Sequence, residues 1–123
     1  MQWANYFQTL AYSTVRLTGS GIGTIQTQTR GITGEIVFLG LPNHCKLQLG
    51  DFAKLDFPGS KLSSVTFVLR VRRAGEGKAE GQLTGFETTA GRYSMSDMQR
   101  QWDEWYPETV AITDEAALAL SKK

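Results

Sequence analysis

Apolar positions along this chain follow a helical period, then a strand period, then a helical period again. Trp3, Tyr6, Phe7 and Leu10 fall at i, i+3, i+4 and i+7, the stripe of a short helix that packs on something larger. From Tyr12 to Phe86 the grammar is that of strands. "VTFVLRVRR" puts Val65, Phe67, Leu69 and Val71 on one face and Thr66, Val68, Arg70 and Arg72 on the other. "FAKLDF" sets Ala53, Leu55 and Phe57 against Lys54 and Asp56. "EIVFLGL" is more continuously apolar, as expected of a strand covered on both sides. "GTIQTQTRGITGEIVF" reads as a strand, a turn around Arg30-Gly31 and a second strand beginning near Gly34. Ala74 to Gly81 reads as a mobile hairpin tip joining 65–73 to "QLTGFE" at 82–87.

Turn signals punctuate these runs at short intervals: Gly19-Ser20-Gly21, Pro42-Asn43, Gly50-Asp51 and Pro58-Gly59. About six short strands at this spacing suit a small antiparallel barrel or sandwich. After Gly91 the helical period returns. Met95, Met98, Trp102 and Trp105 form an apolar stripe behind an S-x-x-D start at Ser94 and Asp97. Pro107 ends that helix, because the residue before a proline resists helical geometry. The terminal "TDEAALALSKK" carries acids first and lysines last, the charge order of a short helix.

Composition narrows the class. The chain has 123 residues, the size of one domain, and can bury a real core. Net charge is +1, so bulk attraction to nucleic acid or an anionic membrane is not indicated. Residues 1–93 carry ten basic and six acidic side chains, and 94–123 carry three and six. The body is therefore mildly basic and the C-terminal segment acidic. The single cysteine, Cys45, leaves no internal disulfide, which fits a reducing compartment. No apolar run reaches the roughly 18 residues of a membrane span, and no leader pattern is seen, so the expectation is a soluble, cytoplasmic protein.

Candidate chemistry is sparse. There is no phosphate loop and no nucleophile elbow, and "GSGIG" at 19–23 lacks the spacing of a dinucleotide fingerprint. His44 and Cys45 alone fall short of the roughly four ligands that zinc takes. No metal, cofactor or catalytic group is expected. What remains is anion recognition. Arg16 and Arg30 lie near glycine-containing turns, and Arg70, Arg72 and Arg73 cluster at one strand end, each offering a planar fork for phosphate or carboxylate. The plainer reading is that Arg70 and Arg72 line a solvated strand face. Trp102 and Trp105 either cover the barrel or offer an aromatic surface to a partner or pocket.

The order of segments resembles the PilZ domain. "LQLGDFAKLDFP" is similar to its central strand pair, "FVLRVRR" and "GQLTGFE" to the hairpin that follows, and residues 95–106 to its C-terminal helix. The resemblance covers about residues 15–106. It implies a mainly β fold, a six-stranded antiparallel β-barrel, flanked by an N-terminal helical segment at 1–14, a capping helix at 95–106 and a tail at 107–123. Many PilZ domains bind the bacterial messenger cyclic di-GMP through an R-x-x-x-R segment before the first strand and a D-x-S-x-x-G turn. Placing Gly34 at the motif glycine leaves Thr29 and Gly31 at the Asp and Ser positions; placing Gly31 there leaves Gln26 and Gln28. Arg16 has Tyr12 and Ser20 at the spacing where its partner arginine would stand. The resemblance therefore implies the fold without the ligand motif: an adaptor in cyclic di-GMP signalling that works through a protein partner. The candidate anion-binding set is Arg16, Arg30, Gly31, Gly34, Arg70, Arg72 and Arg73. A nucleic-acid-binding barrel, and an enzymatic or small-ligand pocket between barrel and helix, are the alternatives.

Overall fold

A computed structural model describes residues 2–42 and 44–107, so the reading of "TDEAALALSKK" as a helix lies outside the described residues. Helix α1 (Trp3–Gln8) leads into strands β1 (Thr14–Gly19), β2 (Gly23–Thr33), β3 (Ile36–Gly40), β4 (Phe52–Asp56), β5 (Thr66–Gly75), β6 (Lys78–Thr88) and β7 (Gly91–Ser94). A 3₁₀ turn at Met95–Asp97 then opens helix α2 (Met98–Trp105). The sheet order is β3-β2-β1-β4-β5-β6-β7, and a β3–β6 pairing closes the first six strands into an antiparallel barrel. The fold is mainly β, as the strand grammar requires.

Closure depends on the length of β6. Its first half, Lys78 to Gln82, pairs with β3, and its second half, Gly85 to Thr88, pairs with β7. Strand β7, four residues long, is an element the periodicity does not reveal. Gly85 permits it: a Cβ there would stand 2.7 Å from the Tyr93 carbonyl oxygen.

Inward residues of β1, β4, β5 and β6 alternate as the period of two demands, so Leu17, Leu55, Phe67 and Leu69 are fully buried. The two helices complete the same core. Phe7 of α1 lies edge-on to Phe57 at 5.4 Å and beside Phe67 at 5.3 Å. Trp102 of α2 is 2% exposed and stacks on Tyr6 at 5.2 Å. Tyr106, in the pre-proline geometry that stops α2, donates from its hydroxyl to the Lys61 carbonyl at 2.7 Å. The Lys61 amide in turn donates to the Tyr6 hydroxyl at 3.0 Å, so one loop residue clasps both helices.

Four local readings change. Arg30-Gly31 is not a turn: β2 runs through it, and Arg30 is the extra residue of a β-bulge between Thr29 and Gly31. The turn lies four residues on, at Gly34-Glu35, where Gly34 takes a φ of 60° in the first position of a two-residue hairpin loop. Residues 74–81 are mostly strand, since pairing continues to Gly75↔Lys78 and leaves only Glu76 and Gly77 as loop. Strand β3 is not covered on both faces: Val37 and Leu39 point into the core, while Ile36 and Phe38 lie half-buried on the outside. Finally, Ser94 makes no backbone cap; its hydroxyl bonds the Asp97 carboxylate at 3.2 Å instead.

Candidate functional site

Strands β2, β3, β6 and β5 lie side by side, and their outer face carries an open groove of about 530 Å³. It is lined by Arg30, Phe38, Arg73, Lys78 and Glu80, with the small residues Ala74 and Gly75 at its margin. Each strand supplies a different part. Register sets Gly31, Phe38, Glu80 and Arg73 in one row across the four strands. The neighbouring row runs through Gly40, Lys78 and Gly75.

Two bulges shape the groove. The first pushes Arg30 out of the β2 ladder, and its guanidinium lies against the backbone of β3 at Gly40. A Cβ at Gly40 would stand 2.9 Å from Arg30 Nε, so any larger residue there would make that side chain shift. The Thr27 hydroxyl donates to the Gly40 carbonyl and holds the strand at this point. The second bulge lies in β5 between Val71 and Arg73 and presents Arg72 and Arg73 together toward Glu80, at 3.7 and 4.0 Å. Bulges re-aim side chains in this way at many binding faces. Gly31 lies beside Phe38, and a Cβ there would meet its ring at an ordinary contact distance of 3.5 Å.

The charges are unbalanced. Glu80 serves both Arg72 and Arg73, whereas Arg30 and Lys78 have no carboxylate partner among the described residues. Gly40 and Lys78 are register partners, and Arg30 and Lys78 line the same groove.

Other expected site residues lie elsewhere. Arg16 lines a separate groove with Thr24, Gln26 and Pro58, and so does not converge with Arg30. Arg70 sits over the Phe52 ring at 5.8 Å, near an exposed end of β4. Gly34 belongs to the hairpin loop. Trp102 is buried in the core, and Trp105 meets Phe86 edge-on at 6.4 Å, so both help cover the barrel. Thr29 is 2% exposed and faces inward. Its hydroxyl donates to the Leu10 carbonyl at 2.8 Å and accepts from the Ser13 amide at 2.7 Å, pinning the α1–β1 segment to β2.

Phe38, Lys78 and Glu80 went unnoticed at the level of sequence. The apolar run "EIVFLGL" hid the alternation that turns Phe38 outward, and the polar run at 74–81 looked like loop. The signal was present: Ile36, Phe38 and Gly40 share one parity, and Val37 and Leu39 the other.

Among the described residues no three of His, Cys, Asp and Glu come together as a metal site, and no helix is long and apolar enough to cross a membrane. Comparison with family models, curated proteins and solved structures finds no match.

Proposed function

We propose that this chain is a non-catalytic binding module of the PilZ type, acting in the cytoplasm through contacts with a protein partner. The observation that carries this reading is the division of labour in the barrel. Its inside is filled by apolar side chains such as Leu17, Leu55 and Phe67, while unpaired cations and a half-buried aromatic ring collect on its outer wall. A filled barrel leaves recognition to its surface. An open groove also suits a macromolecular partner better than a small substrate, which sites usually enclose over most of its area. The free Cys45 fits a reducing compartment.

Cyclic di-GMP is not expected to bind in the manner usual for PilZ domains. With Gly34 at the motif glycine, the Thr29 hydroxyl stands at the Asp position and is committed to Leu10 and Ser13; with Gly31 there, Gln26 and Gln28 replace the Asp and Ser. The segment before β1 holds no arginine, and the first one, Arg16, lies within the strand. Isothermal titration with cyclic di-GMP tests the reading. No saturable heat is expected; micromolar or tighter binding would overturn it.

A further inference from the structure

We propose that the Arg30–Lys78 groove is a docking site for an acidic segment of a partner protein, with a carboxylate between the two cations and a flat apolar side chain on Phe38. The inference rests on the binding-module reading above and adds the place and chemistry of contact.

Charge argues first. Three cations and one carboxylate line the groove, and the carboxylate, Glu80, is already engaged by Arg72 and Arg73. Arg30 and Lys78 have no carboxylate partner among the described residues, so an anion entering the groove meets two uncompensated cations. Arginine adds a planar fork that can take both oxygens of a carboxylate.

Shape argues second. The groove crosses four strands, three steps of about 4.8 Å, and so spans roughly the length of four extended residues. Ala74, Gly75 and Ala79 put no large side chain into it, and Phe38, half-buried, supplies its apolar surface. An aromatic ring flanked by cations is the composition of an energetic centre at protein interfaces.

A single-stranded nucleic acid fits the same wall less well. Such strands are held by several stacking aromatics along a continuous basic track. Here a single ring, Phe38, lines the groove.

The test uses the full chain and a fluorescein-labelled peptide of alternating glutamate and tryptophan, with a lysine–tryptophan peptide and an oligothymidylate as comparison arms. Amide NMR spectra locate the contact. Saturable binding of the acidic peptide is expected, with shifts centred on the amides of Phe38, Gly40 and Lys78. The Arg30→Ala/Lys78→Ala double variant should weaken it at least tenfold while keeping a wild-type spectrum elsewhere. Gly40→Glu, which sets a carboxylate beside Arg30 on the same wall, should weaken it severalfold. Shifts centred elsewhere, no loss in the double variant, or tighter binding of oligothymidylate at the same salt would each overturn the proposal. Cyclic di-GMP binding defeats the broader reading; absence of both ligands defeats only this assignment.

Discussion

Thr29 shows how much one hydroxyl can decide. Its immediate neighbours on β2, Gln28 and Arg30, are exposed, yet Thr29 is buried and bonded to both Leu10 and Ser13. Thr29→Val keeps the shape and removes both bonds, leaving a buried amide and carbonyl without that partner. Such losses cost about 1–3 kcal/mol. The expected outcome is a lower urea midpoint with an unchanged slope. Gly81 is a second sensitive position. A Cβ there would stand 2.6 Å from Leu69 Cδ1, inside the fully packed barrel. Gly81→Ala should destabilise by about 1–3 kcal/mol through overpacking, read as a fall in the thermal midpoint. Neither effect was visible in the sequence, where Thr29 was one of several threonines and Gly81 one of several glycines. Burial is a property of the register, not of the residue.

Helix α2 was legible from its stripe, and its role from its tryptophans. Met98 and Trp102 are buried against the barrel, and the helix ends at Trp105, one residue before the pre-proline Tyr106. Trp102→Ala should cost about 3–5 kcal/mol and remove most of the near-ultraviolet dichroism that the stacked Tyr6, Trp102 and Tyr106 rings generate. A much smaller loss would mean that the helix rests on the barrel without completing its core. Strand β7 was missed because four residues, "GRYS", are too few to show a period. The hairpin tip at 74–81 was misread because its residues are small and polar. Backbone pairing with β3, which no local composition reports, keeps it in strand geometry.

Among the described residues one apolar cluster joins both helices to all six barrel strands. Residues 2–42 and 44–107 should therefore unfold together, in a single transition that superimposes in far- and near-ultraviolet dichroism. Separate transitions would show that α1 or α2 opens first. Distant pairings dominate the topology: β1 must find β4, and β3 must find β6, across long stretches of chain. Folding is expected to be slower than in helical domains of equal length, measurable by stopped-flow fluorescence of the tryptophans.

Periodicity alone determined the two helices, the strand character of the centre and most of the core, because alternation and the helical stripe are local properties of a chain. It also showed that chemistry is sparse and that arginines are the residues worth following. Only the tertiary structure decided which arginines meet. Arg30 lies more than forty residues from Arg73 and Lys78 in sequence, and closure of β3 on β6 brings them to one wall. It also separated Arg16 from Arg30, turned Phe38 outward, and made Arg30 a bulge. These outcomes depend on register between distant strands, and a shift of one residue in that register would send every side chain to the opposite face.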